Sequence, residues 1–218
     1  MNTPIIGEKK DKAKEEDSIF DDKKHYPIFP TGLFQFKLAE KDQKDVDENI
    51  VPALNDLASK QEKPNWAVQP KPEERPELKN LADLFTEATI EVLSFGEVIY
   101  SKLQITALTV WGANQPQLFP QEPRPNNLLA GIFIAKTNDD GRLTFLDPRP
   151  QAWVIKPPVN EPSVYNSDAF SVDLKQNQIL VFPAWLQYHM AFKEKMEENL
   201  WVTWTAMIQG APKKSPAP

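Results

Sequence analysis

Histidine and charged side chains carry most of the chemistry that this sequence could perform, because it contains no cysteine. The lack of cysteine excludes disulfides, thiolate nucleophiles, zinc–thiolate sites and iron–sulfur clusters. Two histidines occur, His25 and His189, and His25 precedes every predicted strand. Metal binding or acid–base catalysis by imidazole within the predicted sheet therefore depends on His189.

Charged residues beside prolines form two further candidate sites. Glu122 and Arg124 flank a single proline, so their side chains could lie on one side of the chain. An ion pair is favoured there over a metal site, because a guanidinium has no free acceptor. In Asp147-Pro148-Arg149 we expect a turn in which Asp147 or Arg149 ties down backbone groups, with an anion site as the alternative.

Other catalytic systems and two classes of partner are not supported by the sequence. It contains no Gly-rich phosphate loop, no Gly-x-Ser-x-Gly elbow and no His-Glu-x-x-His helix. The formal net charge of −6 gives no electrostatic basis for binding nucleic acid. No apolar run approaches the ~20 residues of a membrane-spanning helix. We therefore expect no membrane partner and a cytoplasmic location.

The 218-residue chain is long enough for one domain with a sizeable core and tails. Residues 1–24 are predicted to form a charged tail, residues 25–210 a single domain, and residues 211–218 a Pro-rich tail. Its 21 prolines against 7 glycines favour short strands joined by rigid turns.

Hydrophobic periodicity predicts helices first and then a run of strands. A strand at 33–38 precedes two amphipathic helices at 41–60 and 78–93, with Pro52 as a kink or a start within the first helix. Asp139-Asp140-Gly141 predicts a hairpin turn between two of the later strands. Many short strands separated by turn residues are typical of a β-sandwich or jelly roll, with the helices on one outer face. The later strands are predicted at 104–111, 128–135, 143–146, 152–155, 170–173, 178–182, 188–192 and 200–208.

Four segments, in a fixed order, resemble the motifs of one known family. They are Tyr26–Thr31, Pro125–Ile134, Gly141–Arg149 and Leu180–Leu186. They resemble, in turn, the Leu-Phe-Pro-Thr-Pro, His-x-His-Pro-Asn, Gly-x-Leu-x-Phe-x-Asp-Pro-Arg and Leu-x-Phe-Pro-Ser-Trp-Leu patterns of a 2-oxoglutarate/Fe(II) oxygenase family of bacteria and cyanophages. The resemblance implies a mostly β fold, a double-stranded β-helix (jelly roll, cupin-like) with two N-terminal helices packed on the sheet.

The resemblance also implies where an iron ion would bind, and this sequence departs from the family there. The two histidines of the His-x-His-Pro-Asn motif fall on Glu122 and Arg124, and the histidine that follows the Leu-x-Phe-Pro-Ser-Trp-Leu motif falls on Tyr188, one residue before His189. A one-residue offset turns a strand side chain to the other face of the sheet. The basic residue that binds 2-oxoglutarate falls on Asn199, whose neutral amide cannot replace the charge pairing of an arginine.

The leading hypothesis is an oxygenase-fold protein that has lost Fe(II) and 2-oxoglutarate binding, holds no cofactor and is not an enzyme. An iron site of this type needs two histidines and a carboxylate. The protein would act as a structural or protein-interaction scaffold, with a protein partner or by self-assembly. The phage members of the family suggest a virion or host-interaction component assembled in the cytoplasm.

Two alternatives remain open at this point. The first is an active Fe(II)/2-oxoglutarate-dependent dioxygenase whose rearranged site uses Glu122 and His189. The second is a metal-free binder of a small ligand in a pocket lined by Arg124, Tyr188 and Asn199. The aromatic residues add a separate question, because they could form core packing or an exposed partner patch. These residues are Phe182, Trp185, Trp201 and Trp204.

Overall fold

The computed structural model describes most of the chain between residues 31 and 210. All the described residues except Thr31 belong to one compact unit that begins at Gly32. The predicted boundaries after residues 24 and 210 therefore stay predictions. The described ranges are 31–60, 75–112, 118–121, 126–138, 141–149, 158, 160–161, 167–192 and 199–210.

One strand, then the helices, then a run of strands follow one another along the described chain, as the periodicity predicts. One strand precedes a helical segment made of α1, a π-helical turn at Val46–Ile50, and α2, and this segment is followed by the longer helix α3. The bounds are β1 Phe34–Lys37, α1 Glu40–Asp45, α2 Val51–Ser59, α3 Pro76–Phe95, β2 Tyr100–Trp111, β3 Leu118–Gln121, β4 Leu129–Lys136, β5 Gly141–Leu146, β6 Ala169–Asp173, β7 Gln178–Pro183, β8 Tyr188–Phe192 and β9 Leu200–Gly210.

The strands form two antiparallel sheets. The five-stranded sheet has the order β1-β7-β4-β9-β2, and the four-stranded sheet has the order β3-β8-β5-β6. From β2 to β5 each strand lies in the sheet opposite to that of the strand before it, and the same holds from β6 to β9. Such alternation is what a jelly roll requires. The predicted mostly β jelly roll with two helical segments ahead of it is confirmed.

Two apolar layers hold the unit together, one on each face of the five-stranded sheet. The barrel layer lies between the two sheets and includes Ile132, Leu180 and Trp201. The helix layer lies between the five-stranded sheet and the helices and includes Phe85 and Trp204. Because both faces of this sheet are covered, β4 is buried at every position from Leu129 to Ala135.

Proline and a β-bulge set the local geometry of the elements. Pro52 is the second residue of α2, which follows the π-helical turn at Val46–Ile50 directly, so it marks a start within the helical segment. In β2 the register with β9 shifts between Ile105 and Ala107. Ile105 and Leu108 both pack in the helix layer, so the bulge changes the inward and outward phase of β2 by one residue. No helix in the described ranges is long and apolar enough to cross a bilayer.

Two sequence-based expectations about the strands need correction. The hairpin predicted at Asp139-Asp140-Gly141 is wrong, because β4 and β5 lie in different sheets and do not pair. A local turn signal cannot distinguish a hairpin from a crossing between sheets. β3 was not predicted, because a four-residue strand that contains Pro120 has almost no periodic signal. The strand predicted at 152–155 lies outside the described residues.

Trp204 joins the five-stranded sheet to α3. Its ring stacks on Phe85, with the ring centroids 3.9 Å apart and the planes 2° from parallel. Gly131 lies directly opposite Trp204 in the register of β4 and β9. A Cβ atom at residue 131 would come within 2.1 Å of the indole ring. The ring therefore fills the space that a side chain at residue 131 would need.

We expect Gly131→Ala to lower the free energy of unfolding by at least about 2 kcal/mol, since the added methyl group must displace a ring held from its other side by Phe85. Urea denaturation followed by tryptophan fluorescence measures the change. Gly210→Ala is the control, because a Cβ there meets no atom within 4 Å, and it should change stability by no more than about 0.5 kcal/mol. Equal effects of the two substitutions would contradict this account of Trp204.

Candidate functional site

Three aromatic rings fill the barrel at the end where β3 stops and β8 begins. Gln121 pairs with Tyr188 across these strands, and Tyr188 pairs with Phe145 on its other side. The Tyr188 ring lies 5.1 Å from the ring of Phe182 and 6.0 Å from that of Phe145, and the two phenylalanine rings lie 4.8 Å apart. We call Phe145, Phe182 and Tyr188 the aromatic trio. All three are buried.

A second aromatic group lies farther along the barrel. Trp111 and Trp201 are paired across β2 and β9 and lie 11° from parallel, with ring centroids 6.5 Å apart. Phe192 packs against Trp201 at 5.2 Å. The indole Nε1 of Trp111 donates a hydrogen bond of 2.9 Å to Oγ1 of Thr203. Both aromatic groups thus belong to the apolar layer between the sheets.

His189 does not lie on the same face of β8 as Tyr188. Tyr188 and Met190 are buried in the barrel layer, while His189 between them is half-buried on the outer face of the four-stranded sheet. His189 pairs there with Thr144, whose hydroxyl lies 2.9 Å from that of Ser171 on the next strand. Successive side chains of a strand point to opposite faces, so Tyr188 faces the barrel layer and His189 faces away from it.

Three buried polar side chains on β2, on β9 or directly before β9 have no hydrogen-bond partner among the described residues: Thr109, Asn199 and the indole N–H of Trp204. Asn199 is 2% exposed, and neither atom of its side-chain amide has a hydrogen-bond partner among the described residues. The buried hydroxyl of Thr109 likewise has none there. Asn199 is the residue directly before β9 and lies two positions before Trp201. Unpaired buried polar groups are costly and call for an explanation.

The sequence reasoning missed a group of polar side chains on β2 and β9. Its members are Thr106, Thr203 and Thr205, with Asn127 beside Thr106. The hydroxyl of Thr106 lies 2.6 Å from Oδ1 of Asn127 and 2.9 Å from the hydroxyl of Thr205. Thr203 and Thr205 are two apart on β9 and share the face of Trp201. This spacing could have been read as a polar stripe, but threonine is common in strands and gives no specific signal.

Glu122 and Arg124 lie outside the described residues, so the distance from Glu122 to His189 is not defined. Within the described residues no three or more His, Cys, Asp or Glu side chains come together in a way that could hold a metal ion. Asp147 and Arg149 are described and contact each other. Trp185 is 48% exposed, whereas the other three aromatic residues in question, Phe182, Trp201 and Trp204, are core residues.

Asp147 and Arg149 form a local ion pair at the end of β5. The guanidinium Nε donates to Oδ1 of Asp147 at 2.9 Å, Nη2 donates to Oδ2, and the backbone N–H of Arg149 donates to Oδ1 at 2.9 Å. The side-chain hydrogen bonds from Arg149 are the main cause that holds the pKa of Asp147 below its ordinary value, and partial burial opposes them. An external anion would have to compete with this carboxylate for the guanidinium.

Solved structures with a similar chain path identify the fold. The non-heme alpha-ketoglutarate-dependent epimerase SnoN of nogalamycin biosynthesis matches with a TM-score of 0.57 and 14% identity, over 86% of this chain and 88% of that one. A Pseudomonas putida prolyl-4-hydroxylase matches with a TM-score of 0.55 and 10% identity, over 83% and 94%. Iron-bound HygX from Streptomyces hygroscopicus matches with a TM-score of 0.53 and 11% identity, over 82% and 83%.

The fold is that of the 2-oxoglutarate/Fe(II) oxygenases. At 10–14% identity these matches show the fold alone. No protein-family model matches the chain. No curated protein matches it in sequence.

The two neighbours Tyr188 and His189 should differ sharply in their effect on stability. Tyr188→Ala removes a buried ring from the aromatic trio and should cost about 3 kcal/mol in the free energy of unfolding. His189→Ala changes a half-buried side chain on the outer face and should cost no more than about 0.5 kcal/mol. Chemical denaturation of both variants measures the difference. A larger loss for His189→Ala would mean that β8 has the opposite face inward.

The carboxyl group of Asp147 should titrate at a lower pH than an ordinary aspartate, because Arg149 stabilises its ionised form. The pair therefore contributes stability at pH values above the ordinary aspartate pKa, and this contribution is lost as the pH falls through the lowered pKa. NMR titration of the Asp147 carboxyl carbon measures the midpoint. Arg149→Gln should raise it toward the ordinary value, and an unchanged midpoint would show that another group lowers the pKa.

Proposed function

We propose that this protein uses the oxygenase jelly roll as a structural or protein-interaction scaffold and has lost Fe(II) and 2-oxoglutarate binding. The observation that carries the proposal is the orientation of β8: Tyr188 packs inside the barrel in the aromatic trio, and His189 lies outside it. The residue that the family resemblance places at the position of a ligating imidazole is thus part of the apolar core.

The donor set in the described part of the chain does not fit a non-heme iron ion. Such an ion takes two imidazoles and a carboxylate on one face and keeps open positions for its other ligands. The two phenylalanines beside Tyr188 offer no donor atom, and in the described ranges no group of three ligating side chains forms. The described residues therefore favour packing over coordination at this end of the barrel.

The position of the co-substrate anchor supports the same proposal. Asn199 stands where the family resemblance places a basic residue, and an amide cannot give a carboxylate the bidentate charge-assisted bonds of arginine. The stacked rings of Trp111 and Trp201 occupy the neighbouring barrel interior. Among the described residues, a dicarboxylate would meet the aromatic rings of Trp111 and Trp201 there.

Exposed apolar side chains at the rim of the barrel support an interaction role. Leu128 is 40% exposed, Trp185 48% and Phe170 56%. Leu128 and Trp185 are near neighbours, because the N–H of Ala184 donates to the carbonyl of Leu128 at 3.0 Å. Aromatic residues at a rim fit a protein partner or self-assembly. The phage members of the resembled family make a cytoplasmically assembled virion or host-interaction component part of the proposal.

The alternative of an active Fe(II)/2-oxoglutarate dioxygenase is favoured by what the neighbours bind. One SnoN structure contains Fe3+ and alpha-ketoglutarate, and one HygX structure contains nickel and 2-oxoglutarate. This alternative requires Glu122 and His189 to reach one ion, with β8 turned or bulged at its start. A metal-free ligand site is the other alternative, and the unpartnered amide of Asn199 favours it.

We expect no specific Fe(II) binding and no turnover of 2-oxoglutarate. The experiment is an anaerobic Fe(II) titration by calorimetry, followed by admission of oxygen and measurement of succinate, with an active 2-oxoglutarate oxygenase assayed in parallel. His189→Ala should leave both signals at the background of the unaltered protein, since the imidazole lies outside the barrel.

Two results would contradict the proposal in different ways. Tight Fe(II) binding with succinate formation, both abolished by His189→Ala or Glu122→Ala, would establish the enzyme. A rise in melting temperature with 2-oxoglutarate alone, lost in Asn199→Leu, would establish the metal-free ligand site. Asn199→Leu is comparable in size and removes both unpartnered amide atoms.

A further inference from the structure

The strand β6 forms one edge of the four-stranded sheet. In the described part of the chain it pairs with β5 on one side, and no strand pairs with its other side. Four of its five residues are exposed, and Phe170 among them is 56% exposed. An open edge presents unpaired N–H and C=O groups, which can template the pairing of another strand.

The other edge strands carry features that prevent such pairing, and β6 does not. β1 ends in the exposed Lys37, β2 has the exposed Lys102 and two register shifts, and β3 contains Pro120. Lysine, bulges and proline are the usual means by which proteins block sheet edges. The sequence of β6 is Ala-Phe-Ser-Val-Asp, and its ladder with β5 has no shift. Its one charge, Asp173, is paired with Arg142 at 3.1 Å.

The hydrogen bonds at the two ends of the β5–β6 ladder set its phase. The N–H of Leu174 donates to the carbonyl of Gly141 at 2.9 Å, and the N–H of Asp147 donates to the carbonyl of Asp168 at 2.8 Å. In an antiparallel ladder, hydrogen-bonded pairs alternate with pairs that are not bonded to each other. The even-numbered residues of β6 therefore bond to β5.

It follows that Ala169, Ser171 and Asp173 direct their backbone N–H and C=O groups to the open edge. Ser171 is the middle residue of the strand, and the outward groups are arranged evenly about it. An antiparallel strand of the same sequence, centred on Ser171, would find every outward donor opposite an acceptor. No other residue of β6 combines the central position with outward backbone groups.

We propose that two copies of this chain associate through β6, in an antiparallel pair with its two-fold axis at Ser171. Ser171 of each copy exchanges both backbone hydrogen bonds with Ser171 of the other. Ala169 does the same with Asp173 of the second copy. The two four-stranded sheets then join into one continuous sheet, as in strand addition to a sheet edge.

The side chains of this pairing are compatible. Phe170 lies opposite Val172 of the second copy in a pair that is not hydrogen-bonded, where side chains approach most closely. This contact covers the exposed ring of Phe170 on the barrel side of the sheet. Ala169 lies opposite Asp173, so no two carboxylates face each other. The inference gives the self-assembly part of the proposed function a surface, while the iron and 2-oxoglutarate titration tests the rest separately.

A contact of five residues on each copy is smaller than a standard protein interface, so we expect a reversible dimer with a Kd on the order of micromolar. Sedimentation velocity over a range of concentrations should show a monomer–dimer equilibrium. Ser171→Pro should weaken it at least about tenfold, since proline removes an edge donor but no bond to β5. Ser171→Ala, which keeps the N–H but loses the hydroxyl contact with Thr144, should dimerise like the unaltered chain.

Cysteine substitution tests the register directly, because the chain contains no cysteine of its own. In the proposed pair the two residues 171 have Cα atoms about 5.5 Å apart, within the range for a disulfide, so Ser171→Cys should form a cross-linked dimer on mild oxidation. The two residues 169 would be about 14 Å apart, so Ala169→Cys on the same edge should not cross-link.

Circular dichroism must first show that each variant keeps the sheet content of the unaltered chain. The proposal is overturned if the unaltered chain is monomeric at every concentration, or if Ser171→Pro dimerises as well as Ser171→Ala. It is also overturned if Ala169→Cys cross-links as readily as Ser171→Cys, because that places the two-fold axis elsewhere or indicates a different partner surface.

Discussion

The burial of both faces of the five-stranded sheet is the constraint on which the rest of this structure depends. Alternate residues of β9 go to opposite sides, so Trp204 packs against α3 while Trp201 packs in the barrel. Neither face could be left to water, because each carries a large indole ring. The helices are therefore as much part of the core as the second sheet, and Gly131 is the residue whose small size lets the layers approach. Any function of the barrel interior therefore depends on the helix layer, which packs on the opposite face of the five-stranded sheet.

Inside the barrel, packing of the core and binding of a ligand require different side chains at the same positions. A site for an ion and a dicarboxylate needs open space and inward donor atoms, whereas the aromatic trio and the stacked tryptophans supply ring-to-ring packing. These rings come from strands of both sheets, so each holds the others in place. A single exchange of Tyr188 for a histidine would put an imidazole among phenylalanines, with no carboxylate among their described contacts. A metal site among these rings would require several linked changes.

How well the sequence predicts a feature depends on whether the residues that determine it are close together or far apart in the chain. The period of two identified β8 with its observed bounds and placed Tyr188 and His189 on opposite faces. The same reasoning failed for the supposed hairpin at Asp139-Asp140-Gly141, since a turn residue reports local backbone shape and not the sheet that the next strand joins. β3 was not predicted, because its four residues are too few to show a period of two. The buried state of Asn199 and the hydroxyl row at Thr205 depend on neighbours that are distant in sequence, so no local pattern could reveal them.

Strand edges differ from the barrel interior in what they require of the side chains. Edge pairing uses backbone groups, so it survives the loss of every catalytic side chain, provided that the phase of the ladder and the outward face are suitable. In β6 the phase is set by the bonds at Gly141 and Asp147, and the exposed ring of Phe170 lies on the barrel side. The residues that govern association are therefore separate from those that would govern iron binding. A jelly roll whose interior is packed with aromatic rings keeps its open edges, and an interaction role needs no more than one of them to stay unblocked.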